Sequence, residues 1–296
     1  MLRRAVLAAL GLSLLAAPSL AGARFERIVE EGVLTLGLRT DVPPFAYLRD
    51  GKPSGFTAEL CARMANAILE TSGLEALTAR LVSVTAEDRF QRLGDGEFDV
   101  LCGATTITLE RRETMSFTLP IFATGVGSVV AAEAPEALRG PLIDQGGSGA
   151  SAGGIARALD GRRLGALAGT TAETWLAEDV MPATEGAEIV AFDDHRAGLS
   201  AVAAGEIDAY FADRAILGGV LAGLGERERL VASRMSYTFE PYGLALPRGE
   251  EDLRLVLDRA LAHLYRTGEI LQIYERHFGP PGPNERIFYS VNALPE

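Results

Sequence analysis

The chain has 296 residues, 48% of them hydrophobic, and it carries 40 acidic against 28 basic residues for a formal net charge of -12. Because this length exceeds that of a typical single domain, two lobes with separate cores are expected. The negative charge excludes a nucleic-acid-binding protein, which needs a basic face to neutralise phosphates, and it argues against docking on an anionic membrane.

Residues 1–23 are predicted to be a signal peptide. Arg3 and Arg4 give the charged start, Ala5 to Ala17 the apolar stretch, and Ala21-Gly22-Ala23 the small residues of a cleavage site. The apolar stretch is shorter than the roughly 20 residues of a membrane span. The mature protein is therefore expected to be exported to the periplasm, without a lipid anchor because no Cys lies directly after the cleavage site.

Strands and helices alternate along the rest of the chain, which is typical of α/β folds with largely parallel sheets. The Gly-rich segment 146–154 is predicted to be a surface loop. The pattern predicts a first lobe of residues 24–126 and 238–296, with the second lobe, 127–237, inserted into it. Two strand crossings, near 125–132 and 237–246, are expected to join the lobes.

Two cysteines in an exported chain are candidates for a disulfide. Cys61 lies on the apolar face of a predicted helix over 57–70, and Cys102 ends a predicted strand over 100–102. The sulfurs can meet if that helix packs on that sheet. Closing a loop of about 40 residues would then stabilise the fold by roughly 4 kcal/mol in the chain-entropy model. Two buried thiols that do not touch are the alternative.

Polar residues follow three predicted strands, at Gly103–Arg111, Gly169–Thr171 and Asp213. Open α/β sheets bind ligands at the carboxyl ends of their strands, so these groups are expected to share one cleft. The planar guanidinium of Arg111 matches a carboxylate, and free amides at a helix start near Thr171 also suit an anion. Asp213 would bind an ammonium group. An arginine and an aspartate so placed predict recognition of an α-amino acid.

Each of these residues also has a purely structural interpretation. Arg111 would then be an exposed surface charge, Asp213 the cap of the helix that follows it, and Thr170 and Thr171 ordinary turn residues. Phe56 would be part of the core. The three histidines are scattered in the sequence, so neither a metal site nor a cofactor is expected.

The chain resembles the periplasmic amino-acid-binding proteins of ABC transporters, extracellular solute-binding protein family 3, from about Phe25 to Gly279. The order and spacing of short motifs carry this resemblance. They are Pro44-Phe45, Gly55-Phe56-Thr57-Ala58-Glu59-Leu60, Phe98-Asp99, Ile107-Thr108-Leu109-Glu110-Arg111, Phe117-Thr118-Leu119-Pro120, Gly169-Thr170, Asp208-Ala209, Asp213, Tyr242-Gly243 and Phe278-Gly279.

The resemblance implies the two-lobed type II periplasmic-binding fold and capture of an amino acid by lobe closure, followed by delivery to a membrane permease. It implies an aromatic ring over the ligand at Phe56 and an ammonium-binding acid at Asp213. Further contacts are implied at Ala104, Thr106, Arg111, Thr170 and Thr171. The protein is expected to be a monomer and not an enzyme.

This sequence departs from the family at several positions. Members that bind polar or basic side chains often have an acid where this chain has Arg39 and an aromatic where it has Val42. The pocket beyond the amino-acid backbone is therefore expected to be less polar, although Asp41 could reach into it. The connection 133–163 is longer than the family leads us to expect.

Two other functions fit the same scaffold. A periplasmic cyclohexadienyl dehydratase would need a general acid, for which Glu173 or Asp41 is the best candidate. A ligand-sensing module for a membrane partner is the other alternative.

Overall fold

The computed structural model describes residues 22–144, 155–225 and 227–296. Almost all of the predicted signal peptide, and all of the predicted surface loop 146–154, lie outside these residues. Within them the chain forms two five-stranded sheets, a three-stranded sheet and a two-stranded ribbon. Among the described helices, none is long and apolar enough to span a membrane.

The strands are short and most of them are buried. In chain order they are β1 (Val33–Arg39), β2 (Asp41–Val42), β3 (Ala46–Arg49), β4 (Lys52–Ser54), β5 (Thr78–Val84), β6 (Val100–Cys102), β7 (Met115–Phe117), β8 (Phe122–Thr124), β9 (Val126–Ala131), β10 (Arg163–Leu167), β11 (Glu188–Phe192), β12 (Ala209–Asp213), β13 (Leu230–Ala232), β14 (Glu240–Tyr242) and β15 (Ala245–Pro247).

The α-helices cover the sheets. In chain order they are α1 (Ala23–Glu31), α2 (Phe56–Ser72), α3 (Arg89–Gly94), α4 (Glu136–Arg139), α5 (Thr171–Trp175), α6 (His195–Ala204), α7 (Arg214–Ala222), α8 (Glu251–Thr267), α9 (Glu269–Phe278) and α10 (Pro283–Val291). A single 3₁₀ turn, Arg111–Glu113, follows Thr108.

Each five-stranded sheet is the centre of one lobe. The first lobe has the order β5-β1-β6-β15-β7, in which β5, β1 and β6 are parallel. The second lobe has the order β11-β10-β12-β9-β13, in which β11, β10 and β12 are parallel. The remaining strand pairs are antiparallel, so both sheets are mixed.

The chain leaves the first lobe through β8 and returns through β14, and these two strands pair with each other. The second lobe is thus inserted into the first. The crossing expected near 237–246 is confirmed, because β14 lies within it. The crossing expected near 125–132 instead occurs just before it, at β8, because β9 belongs to the second sheet, where it pairs with β12 and β13. The hinge consists of β8 and β14.

The disulfide prediction is confirmed: Cys61 and Cys102 are bonded, and both are buried. The bond ties α2 to the end of β6. The sheet is tightly packed at Gly37 on the neighbouring strand β1. A side chain does not fit there, because a Cβ would lie 2.5 Å from the ring of Phe98. The strand end that leads into Gly103 is therefore held firmly in place.

The described part of the long connection 133–163 packs on the second lobe. Leu138, Leu142, Ile155 and Leu159 are buried in one cluster with residues of β9 and β12, such as Phe211. This part of the connection covers one face of the second sheet.

Candidate functional site

A small cavity of about 20 Å³ lies between the two lobes. The carboxyl ends of β1, β6, β10 and β12 point toward it, as expected for ligand sites in α/β folds. Its lining residues are Arg39, Arg89, Ala104, Thr106 and Arg111 from the first lobe, and Thr170, Thr171, Ala172, His195, Ala212, Asp213 and Ile216 from the second.

Arg111 is held in place by its neighbours in the first lobe. Its Nη1 donates to the carbonyl oxygen of Thr106 at 2.9 Å, and its guanidinium carbon lies 4.8 Å from the ring centroid of Phe90. Burial lowers the pKa of Arg111 from its usual value, although Glu240 and Asp213 oppose this effect. A partly desolvated cation of this kind gains most when it binds an anion directly.

Arg89 is the least satisfied cation of the cavity. It is 2% exposed, and neither its Nε nor its Nη1 has a hydrogen-bond partner among the described residues. Its Nη2 donates to the carbonyl oxygen of Gly169 in the opposite lobe at 3.0 Å. Burial, together with the nearby charges of Arg39 and Arg111, holds the pKa of Arg89 well below its usual value.

Arg39 is also buried, but its charge is compensated. Its Nε and Nη2 donate to the two carboxylate oxygens of Asp41, at 2.7 and 2.6 Å. Desolvation raises the pKa of Asp41, but the hydrogen bonds and the positive charge of Arg39 together outweigh it, so the net pKa is lowered. Arg39 and Asp41 therefore form an ion pair at the edge of the cavity.

Asp213 is the acid of the cavity, at the end of β12. Its Oδ1 is buried without a hydrogen-bond partner in the described structure, as is the hydroxyl of Tyr242. Burial, and after it the nearby carboxylate of Glu240, raises the pKa of Asp213 to about 8. A cationic group beside this carboxylate would restore its ionised form.

The start of α5 lines the cavity through Thr170, Thr171 and Ala172. Gly169 has a φ of +68°, which glycine adopts without strain. The Gly169 amide donates to Glu173 at 2.9 Å, while the Thr170 hydroxyl accepts from the Glu173 amide at 3.4 Å. Thr170 is thus a helix cap, as the structural interpretation held, and it also lines the cavity.

His195 is a buried, neutral member of the cavity wall. Its Nδ1 lies 3.0 Å from the hydroxyl of Tyr210, and burial, with the charge of Arg39 as the next cause, lowers its pKa to about 4. His195 therefore adds no positive charge near pH 7.

Of the predicted ligand contacts, Ala104, Thr106, Arg111, Thr170, Thr171 and Asp213 lie together in the cavity wall. Phe56 does not, and its prediction is wrong. Phe56 is fully buried in the first lobe, where its ring packs edge-on against those of Phe45 and Phe122. A ring inside this aromatic cluster is not available to a ligand.

The prediction that Asp41 reaches the ligand is also wrong, because its carboxylate is occupied by Arg39 and does not line the cavity. The cavity wall also contains the polar side chains of Arg39, Arg89 and His195. The sequence pattern did not identify Arg89 and His195 as cavity residues. Arg39 was noted only because some family members have an acid at its position. The signal was available, since Arg39 ends β1 and Arg89 begins the helix that follows β5.

Residues 34–280 match the family model of the bacterial extracellular solute-binding proteins, family 3. The chain belongs to this family. An L-glutamate/L-aspartate-binding protein of Pseudomonas aeruginosa is 28% identical over 285 residues, covering 96% of this chain and 88% of that protein. The L-cystine-binding protein TcyJ of Escherichia coli is 26% identical over 258 residues, covering 86% of this chain and 85% of that protein.

The fold is that of known structures. A solute receptor for L-cysteine from Neisseria gonorrhoeae matches with a TM-score of 0.71 at 24% identity, covering 88% of this chain and 98% of that one. The chain therefore has the two-lobed type II periplasmic-binding fold.

The family and these relatives are binding proteins, so the chain is a solute-binding protein rather than an enzyme. The two candidate general acids of a dehydratase, Glu173 and Asp41, do not line the cavity. Among the described residues there is also no cluster of side chains that could hold a metal ion.

Proposed function

We propose that this protein captures an acidic α-amino acid in the cavity between its lobes. Arg111 binds the α-carboxylate and Asp213 binds the α-ammonium group, which accounts for one positive and one negative charge of the wall. Ala104, Thr106, Thr170 and Thr171 supply the remaining backbone and hydroxyl contacts.

The charge balance of the cavity supports an acidic side chain. After Arg111 and Asp213 are assigned to the zwitterion, Arg39 and Arg89 remain. Asp41 compensates Arg39, whereas Arg89 has no acidic side chain within ion-pair distance among the described residues. A buried cation without an acidic partner is costly, so a side-chain carboxylate at Arg89 would bind strongly. This uncompensated Arg89 is the observation that carries the proposal.

A basic ligand side chain would be repelled by Arg89, and a neutral one would leave Arg89 without an acidic partner. The L-glutamate/L-aspartate-binding relative agrees with this preference, whereas the L-cystine-binding relative shows that the scaffold serves other ligands too. The charges of this chain's own cavity therefore support the specificity.

We also propose where the protein is located and which partner it serves. It is exported to the periplasm as a monomer, with residues 24–126 and 238–296 as the first lobe and 127–237 as the second. When closed on its ligand, it presents the amino acid to the membrane permease of an ABC transporter. No metal, cofactor or nucleic acid has a part in this function.

A thermal-shift screen with isosteric pairs tests the specificity. L-Glutamate or L-aspartate is expected to bind with a Kd of about 1 µM, or roughly -8 kcal/mol. At a hundredfold excess over Kd this stabilises the fold by about 2.7 kcal/mol. L-Glutamine, L-asparagine and L-arginine should shift the Tm far less. Equal or larger shifts with the amides or with arginine would refute the acidic preference.

Arg111→Gln is the matched test of the α-carboxylate site, with Arg112→Gln as its control. Arg112 follows directly in the same turn but is exposed and does not line the cavity. The Arg111 variant should lose the ligand-induced shift, and the Arg112 variant should keep it. Retention of the shift in Arg111→Gln would contradict the assigned role.

A further inference from the structure

Glu240 is a buried carboxylate of the hinge that does not line the cavity. It lies on β14 and is 5% exposed. Its Oε2 accepts hydrogen bonds from the hydroxyls of Thr106 at 2.7 Å and Thr171 at 2.6 Å. Thr106 belongs to the first lobe and Thr171 to the second, so one oxygen atom of the hinge joins both lobes.

The surrounding backbone fixes this arrangement on the side of the first lobe. The amide of Ile107 donates to the carbonyl oxygen of Pro241 at 2.8 Å, which holds the segment of Thr106 alongside β14. The other carboxylate oxygen, Oε1, accepts from the Thr238 hydroxyl at 3.1 Å, a contact confined to the hinge. Within the described residues, no basic side chain lies within ion-pair distance of Glu240.

These hydrogen bonds determine what the two threonine hydroxyls offer to a ligand. A threonine hydroxyl has one proton to donate and two lone pairs that accept, whereas a carboxylate only accepts. Because Thr106 and Thr171 both give their proton to Glu240, their oxygens can only accept from any further partner. Asp213 adds the unpartnered acceptor Oδ1 to the same cavity.

We propose that Glu240 is a specificity-determining residue that acts through Thr106 and Thr171 without touching the ligand. By taking both hydroxyl protons it turns this side of the cavity into a set of acceptors, which suits a group with several N–H donors. The closed protein thereby selects an α-ammonium group over the α-hydroxyl of a hydroxy acid. This inference rests on the proposed capture of an α-amino acid.

Binding of L-glutamate and of L-2-hydroxyglutarate, measured by calorimetry, tests the role. In Glu240→Gln the side-chain amide can donate to a threonine oxygen, which frees that hydroxyl to donate. We expect the Kd for L-glutamate to rise at least tenfold, while the Kd for the hydroxy acid changes much less. The preference for the amino acid should therefore shrink at least tenfold.

Two more variants separate this role from a purely structural one. Thr238→Val removes a contact to the same carboxylate but not to the cavity, so it should leave the preference unchanged. Thr171→Val should weaken L-glutamate binding. Glu240→Gln should reduce the affinity for L-glutamate less in the Thr171→Val background than in the wild type, because the two residues act through one hydrogen bond. The ligand-free Tm of each variant reports on the hinge itself.

The outcomes are distinguishable. Equal weakening of both ligands by Glu240→Gln, additive effects of Glu240→Gln and Thr171→Val, or the same loss of preference in Thr238→Val would overturn the role of Glu240. A wild-type protein that binds none of the twenty amino acids would instead overturn the proposed function.

Discussion

The guanidinium of Arg89 and the carbonyl oxygen of Gly169 form a hydrogen bond of 3.0 Å that spans the cavity from one lobe to the other. Arg89 begins α3 in the first lobe, and Gly169 precedes α5 in the second. This bond uses only one of the nitrogens of Arg89, and its Nε and Nη1 remain without a partner. The same residue is thus placed both to hold the lobes together and to bind an anion.

Arg89→Met should therefore remove the preference for acidic ligands. The Kd for L-glutamate is expected to rise about a hundredfold or more, which corresponds to about 3 kcal/mol for a lost buried ion pair. L-Glutamine binding should change much less. Calorimetry with both ligands measures the difference.

Arg92→Met is the control, because Arg92 lies on the same helix but bonds to Asp88 and Glu97 away from the cavity. Arg92→Met should bind L-glutamate like the wild type. Since Arg89→Met removes a buried charge without an acidic partner, the Tm without ligand should stay the same or rise. A preserved preference for glutamate in Arg89→Met would show that another group binds the ligand side chain.

The stability of the ligand-free protein should fall as pH rises from about 4 to about 8 and then level off. The pKa of Asp213 is raised to about 8 in the closed fold, well above its unfolded value near 3.9. The stabilisation from the bound proton is complete below the unfolded pKa and is lost as pH rises through the folded one. The expected loss is at most about 1.4 kcal/mol per pH unit within this window.

Tm measurements from pH 6 to pH 9, with and without L-glutamate, check this dependence. Asp213→Asn should flatten the ligand-free curve, because its side chain does not ionise. Saturating L-glutamate should flatten the wild-type curve too, since the ligand ammonium replaces the proton. If wild type and Asp213→Asn lose Tm in parallel, the pH dependence has another source.

The sequence predicted those site residues whose position follows from a local pattern of apolar and polar residues. Short apolar runs ending in glycine, hydroxyl or acidic residues located the ends of β6, β10 and β12, and with them Thr106, Thr171 and Asp213. The disulfide could be predicted because Cys61 and Cys102 each lie on the apolar side of an element that must pack on the other.

The remaining features depend on tertiary packing, which a local pattern does not contain. Arg39 is compensated only because Asp41 folds back onto it, and Arg89 is recognisable as uncompensated only once its neighbours are known. Glu240 is far from Thr106 and Thr171 in sequence. The motif around Phe56 was correctly matched to the family. The ring of Phe56 nevertheless packs in the core, against the rings of Phe122 and Phe278.

Replacing both cysteines, as in Cys61→Ala with Cys102→Ala, should lower the free energy of unfolding by about 4 kcal/mol. The bond closes a loop between residues 41 positions apart, and the chain-entropy model gives this magnitude for such a loop. Urea unfolding of the double variant, compared with the oxidised and the fully reduced wild type, measures the effect. A double variant as stable as the oxidised protein would show that the bond contributes nothing.

Comparing the variants Phe56→Ala and Phe90→Ala distinguishes an aromatic ring that stabilises the core from one that supports the candidate site. Phe56→Ala should lower the free energy of unfolding by about 3–5 kcal/mol, since it empties a fully buried position among aromatic rings. Its Kd for L-glutamate should stay within about threefold of wild type when measured well below its Tm, because Phe56 does not line the cavity.

Phe90→Ala should mainly reduce the affinity for L-glutamate rather than the stability. The Phe90 ring centroid lies 4.1 Å from the guanidinium carbon of Arg89 and 4.8 Å from that of Arg111, so the ring supports two cations that line the cavity. Its loss should weaken L-glutamate binding more than Phe56→Ala does, while costing less stability because Phe90 is only partly buried. Calorimetry and urea unfolding of the two variants decide the question. A larger loss of affinity in Phe56→Ala than in Phe90→Ala would mean that the Phe56 ring contacts the ligand after all.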